Sequence, residues 1–118
     1  MGMAAEADEP ELLSANIPFY PPLARQARVY GTVKVTFTLP ADAGEPINVE
    51  AASGHPMLKP AAVENVKTWR FRNPYAVERR YETVLDYRLL ETEPQPVTFE
   101  SFHHVEIVTL KPRPLYSR

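Results

Sequence analysis

The chain has no cysteine, which removes disulfides, thiolate metal sites and a cysteine nucleophile from consideration and leaves the compartment open. Glycine is scarce, with four in 118 residues, so each marks a place where the backbone has a special need. No apolar run approaches the roughly 20 residues that a membrane-spanning helix requires. The longest uncharged stretch, residues 12–24, holds Asn16 and three prolines and fits neither such a helix nor a signal peptide. An excess of either charge is lacking too: 13 Lys and Arg against 15 Asp and Glu leave a net charge of −2. That balance gives no broad attraction to phosphate backbones or anionic lipid. Nucleic acid is therefore not an expected partner.

Proline is plentiful, at 13 residues, and it stands mostly between candidate elements. With 44% hydrophobic and 24% charged residues, the length suits one globular domain with one core. Residues 1–16 are acidic and alanine-rich without a sustained apolar period, and read as a flexible lead-in at the end of a linker. Met1-Gly2-Met3 reads as an engineered or misassigned start, so that an export signal or membrane anchor is expected upstream.

Pro18, Pro21 and Pro22 force an extended path, followed by about one helical turn near residues 23–27. From Val29 to Leu39 the sequence alternates, with Val29, Gly31, Val33, Val35, Phe37 and Leu39 on one face, which predicts a long half-buried strand. Gly31 is expected to let the helix or another backbone approach this strand. Pro40 ends the strand, a turn around Gly44 follows, and Ile47, Val49 and Ala51 resume the alternation as a hairpin. After Ser53-Gly54, where Gly54 is expected to take a positive φ, the period changes. Leu58, Ala62, Val66 and Trp69 form the apolar face of a helix of about three turns, with Lys59, Glu64, Asn65 and Lys67 pointing away. Residues 81–91 return to period two, with Tyr81, Thr83, Leu85, Tyr87 and Leu89 inward. The helical link permits a crossover, so the third strand is expected antiparallel beside the first, in the order 2-1-3. Trp69, Phe71, Phe37 and Leu85 are the expected core of a two-layer α+β domain.

Tyr20-Pro21, Gly31, the turn at Gly44, Ser53-Gly54-His55-Pro56, Ala61-Ala62 and Trp69-Arg70-Phe71, taken in order, resemble the C-terminal domain of the TonB energy transducers. The resemblance spans residues 16–91. It implies a periplasmic ββαβ domain, the full-length protein being anchored in the inner membrane and driven there by proton-driven motor proteins. It further implies binding of the TonB-box peptide of outer-membrane receptors, which joins the sheet beside its last strand and couples the proton motive force to uptake. On this chain the docking residues would be Glu82, Val84, Asp86, Arg88 and Leu90, while Pro18, Tyr20 and Pro21 would lie near the receptor. Strand addition suits this task because main-chain hydrogen bonds hold an extended peptide and side chains add selectivity. Ile17 departs from the Gln that family members often carry before the first proline, which weakens the analogy for the receptor's plug.

The largest departure is the tail. Domain limits read as a lead-in over 1–16, a TonB C-terminal-like domain over 17–91 and a β extension over 92–118. Residues 97–102 alternate and 105–110 form another β-like run. The short link before them favours an antiparallel return onto the third strand, so residues 97–110 are expected to cover the very edge a receptor peptide would need.

Catalysis finds little support. His103 and His104 are adjacent on a strand and point to opposite faces, which prevents their sharing a metal. His55 follows Ser53 without a nucleophile elbow or an orienting acid. Asp42, Glu45 and Glu50 are loop carboxylates, and Arg70, Arg72, Arg79, Arg80 and Arg88 read as a solvated basic patch. No cofactor, metal or enzymatic activity is expected. Beside the transducer reading stand an envelope adaptor or self-associating, dimeric module whose edge its own tail covers, and a small hydrolase dependent on His55.

Overall fold

Alternation of apolar and polar residues organises the sheet, and the glycines and prolines set where its strands begin and end. The computed structural model describes residues 9–90 and 97–110. Residues 1–8, the expected link at 92–96 and residues 111–118 lie outside the described residues. The elements are β1 (Glu11–Ser14), α1 (Pro22–Gln26), β2 (Gly31–Leu39), β3 (Ile47–Ser53), α2 (Lys59–Val66), β4 (Arg70–Arg72), β5 (Arg79–Leu90), β6 (Val97–Ser101) and β7 (His104–Leu110).

Five strands form the main sheet in the order β3-β2-β5-β7-β6. The three strands expected from the alternation are therefore neighbours with β2 in the middle. β2 and β5 pair antiparallel from Gly31 opposite Tyr87 to Leu39 opposite Arg79. Their inward residues Val33, Val35, Phe37, Leu39, Leu85 and Tyr87 are buried. α2 and its N-cap residue lay Leu58, Ala62 and Val66 on that face, and Trp69 follows into the same core. Phe37 is its aromatic centre, stacked on Phe71 at 5.6 Å and edge-on to Trp69 at 6.2 Å.

Several expectations change. α2 has eight residues rather than three full turns, because a hydrogen-bonded turn at Thr68 and Trp69 aims the indole inward. Asn65, expected outward, is buried: one turn before Trp69, its carboxamide oxygen accepts the indole N–H at 2.9 Å. A buried indole needs such a partner.

The flexible lead-in through residue 16 does not hold for its last part. β1 pairs with β4 in a separate two-stranded sheet, Leu12 opposite Phe71. That pairing was not signalled by the short segments themselves. β4 also meets the hairpin loop, where Phe71 N donates to Gly44 O at 2.9 Å. A Cβ at Gly44 would stand 1.9 Å from the Phe71 carbonyl oxygen, so only glycine fits this approach. Gly54 takes its expected positive φ, 136°. At Gly31 no close neighbour meets a built Cβ; its φ of 138°, rather than an approaching backbone, is what the glycine permits.

The tail covers β5, but not in the expected geometry. β7, not β6, lies beside β5, and the two are parallel from Val84 opposite His104 to Leu90 opposite Leu110. β6 runs antiparallel to β7, hence antiparallel to β5 but one place further out. The inner place falls to the strand that fills the core: Val105 and Ile107 are buried. Phe102, in the turn between β6 and β7, is buried against Phe71 at 5.3 Å, Tyr81 at 5.9 Å and Phe37 at 6.5 Å.

A covered sheet edge and an apolar strap

The residues expected to dock a partner fall into two groups. Val84, Asp86, Arg88 and Leu90 lie along the β5 edge, and all four are in register with β7, opposite His104, Glu106, Val108 and Leu110. Val84 N donates to His103 O at 2.9 Å, just before the ladder begins. The important observation for the site is that the main-chain edge of Val84 to Leu90 is occupied by the chain itself. Glu82 stands before the covered stretch and faces Lys34 at 3.9 Å.

Across the covered edge one side-chain pair is well formed. Arg88 Nη1 donates to Glu106 Oε2 at 2.8 Å, and the Glu106 side chain is only 24% exposed. The other arginines of the expected basic patch also have neighbours: Arg70 faces Glu45, Arg72 faces Glu11 and Arg80 faces Glu50. Arg79 lies over the Tyr75 ring, 3.7 Å from its centroid. Arg80 further donates to the Thr36 and Thr38 hydroxyls at 2.7 and 2.8 Å. The patch is thus a set of partly exposed contacts between segments, each of modest strength.

The second group belongs to the segment that precedes α1. Asn65 Nδ2 donates to Asn16 O, and Asn16 N donates to the Thr68 hydroxyl, at 2.9 and 3.0 Å. These bonds lash the chain across the end of α2. Pro18 is buried. Tyr20 folds back on the domain rather than projecting: its hydroxyl donates to Val29 O at 2.6 Å, and its ring meets Tyr87 edge-on at 5.5 Å. Desolvation pushes the Tyr20 hydroxyl up to about 12, and the same cause, with Tyr20 beside it, raises Tyr87 further. Pro21 caps α1, its carbonyl accepting Arg25 N–H at 2.9 Å. What this strap offers outward is Ile17, Phe19 and Leu23, which are 77%, 63% and 75% exposed. Sequence reasoning named the prolines, Tyr20 and, as a departure, Ile17, and overlooked the exposure of Phe19 and Leu23, although an apolar residue such as Phe19 between prolines in a chain with a full core was a signal for it.

The catalytic candidates resolve locally. His55 Nδ1 accepts Met57 N–H at 3.0 Å, which ties the ring into the turn before α2. His103 Nε2 lies 3.1 Å from Glu9. Among the described residues no cluster of His, Asp or Glu is arranged to hold a metal.

The sequence profile described as Gram-negative bacterial TonB protein C-terminal matches residues 16–89. No curated protein matches the chain. Among solved structures, the solution NMR structure of the Pseudomonas aeruginosa TonB C-terminal domain is similar, at 28% identity, over 64% of this chain and 81% of that one, with a TM-score of 0.52. The match ends within β5, so β6 and β7 lie beyond it. With well over half of its residues inside that profile, the chain belongs to the family of Gram-negative bacterial TonB C-terminal domains.

Proposed function

We propose that this chain is the periplasmic partner-binding domain of a TonB-like energy transducer, which engages outer-membrane receptors by taking an extended receptor peptide into its sheet. In this reading, proton-driven motor proteins of the inner membrane pull on the domain through an anchor elsewhere in the full protein. The role is one of binding and force transmission rather than catalysis. The observation that carries it is the β5 edge: a strand from beyond the matched region adds to it over seven register positions, so this edge accepts an added strand. Main-chain pairing of that kind holds peptides of varied sequence. The strap supplies a second contact, with Ile17, Phe19 and Leu23 meeting an apolar surface of the receptor beside Pro18, Tyr20 and Pro21.

The test is amide chemical-shift mapping of the full chain against an intact TonB-dependent receptor or its N-terminal segment. Shifts on β5, β7 and the strap support the proposal. Failure of any receptor to shift or bind the chain would remove it. A second reading, self-association, draws on β6 as the outermost strand of the sheet, because an unpaired edge invites a second copy. Concentration-dependent size without receptor binding would favour it.

A further inference from the structure

β7 occupies the position that strand addition would fill, and it does so with a defined direction and side-chain pattern. It runs parallel to β5. Val105 and Ile107 turn inward and are buried, in register with Leu85 and Tyr87. Between them Glu106 turns to the other face, where Arg88 donates to it at 2.8 Å. Glu106 stands opposite Asp86 in the ladder, so without Arg88 two carboxylates would face each other across the strands, which is unfavourable. Arg88 therefore decides whether an acid is tolerated at this position.

Resting on the strand-addition reading above, we infer that β7 is a built-in occupant of the β5 edge, and that this edge selects extended peptides that run parallel to β5 and place an acidic residue between two apolar ones. Val105, Glu106 and Ile107 mark the three positions, and Arg88 reads the middle one. The β6–β7 hairpin inhibits the site in cis. A segment tethered through a short link experiences an effective concentration of order millimolar. If the β7 strand by itself would bind the edge with micromolar affinity, its tethering makes any free peptide bind about a thousandfold less well than it would bind an empty edge. Burial of Phe102, Val105 and Ile107 strengthens the cover further, since those side chains must leave the core when the hairpin lifts. The hairpin lies outside the region that the family profile matches, so the inhibition would come from the extension that follows that region.

The experiment uses the full chain carrying a protease site within residues 92–96, cut after folding so that every residue is retained and only the tether is lost. A fluorescent peptide with the sequence of residues 103–110 is titrated into intact and cut protein, with Trp69 emission reporting the fold. Cutting should improve binding at least about a hundredfold, and equal affinity for both forms would overturn the inference. In the cut protein Arg88→Glu should weaken the peptide about three- to fivefold, and a peptide carrying Glu106→Arg should recover that loss. Absence of recovery would overturn the role of Arg88. A spin label on the peptide's N-terminus must broaden residues near Val84 rather than near Leu90; the reverse result would overturn the parallel direction. Should the cut protein lose its fold, hydrogen exchange of β5 amides in the intact chain gives the same answer. Arg88→Glu accelerates exchange there and the Arg88→Glu, Glu106→Arg pair restores it, whereas no restoration would count against the proposal. A receptor peptide that binds both forms equally leaves strand addition standing and removes the inhibition by β7. A receptor peptide that binds neither, while the β7 peptide binds the cut form, removes the receptor reading and keeps the occupied edge.

Discussion

Replacing Phe102 by alanine measures how firmly the C-terminal hairpin belongs to the domain. Phe102 is 5% exposed and touches rings from three other elements or their flanks, Phe71, Tyr81 and Phe37. Truncating a buried phenylalanine typically costs about 3–5 kcal/mol, through lost transfer free energy and the cavity left behind. Here the ring also supplies edge-to-face contacts, each adding of order 0.5–1.5 kcal/mol beyond burial. Relaxation of the turn at residues 102–103 recovers part of this, so a loss of about 3–4 kcal/mol is expected. Urea unfolding followed by Trp69 fluorescence gives the global value, and exchange of the Val105 and Ile107 amides gives the local one. If hairpin and core unfold together, both measures fall by the same amount. If the hairpin opens alone, the local value falls while the global one holds. A loss under about 1 kcal/mol by both measures would refute the reasoning, because Phe102 could not then be a member of the core. The same substitution should tighten the binding of a peptide in trans, by about tenfold for each 1.4 kcal/mol by which hairpin opening becomes easier. A stability loss and an affinity gain from one mutation have a common cause only if the hairpin and the peptide compete for one edge.

Gly44→Ala should cost about 1–3 kcal/mol by chemical denaturation, because its Cβ would collide with the main-chain carbonyl of Phe71; a neutral result would show that the loop and β4 can separate freely. Asn65→Ala strands the Trp69 indole N–H and the Asn16 carbonyl, with an expected loss of about 1–3 kcal/mol and faster exchange at the Asn16 amide. Tyr87→Phe removes a buried hydroxyl that has no hydrogen-bond partner and should leave stability unchanged or raise it by about 1 kcal/mol, as a thermal melt would report. Alkaline stability follows from the raised tyrosines. Their unfolded forms ionise near pH 10, whereas Tyr20 ionises at about 12 in the folded domain, so the folded state retains protons that the unfolded state releases. Stability should thus be level below about pH 10 and fall as pH rises from there, with a shallower fall in Tyr87→Phe.

The central layer was readable because a half-buried strand and a core-facing helix each impose a period on the sequence. Val33 to Leu39, the inward residues of β5, and the Leu58, Ala62, Val66 and Trp69 face all follow from that rule. β1 and β4 escaped it because four and three residues are too few to show a period, and their pairing depends on a partner more than fifty positions away. Asn65 escaped it because a polar residue reads as outward until a buried donor is known to stand beside it.

The sequence by itself determined the ββαβ scaffold, the special turns at Gly44 and Gly54, and the family to which these residues belong. Tertiary structure alone decided which strand covers the β5 edge and in which direction it runs. Local alternation states that residues 97–102 and 105–110 are β-like, but it is blind to which neighbour each one takes and in which direction. That choice was made by the core, which had room for Phe102, Val105 and Ile107 together, and filling it brought β7 parallel against β5 and left β6 at the rim.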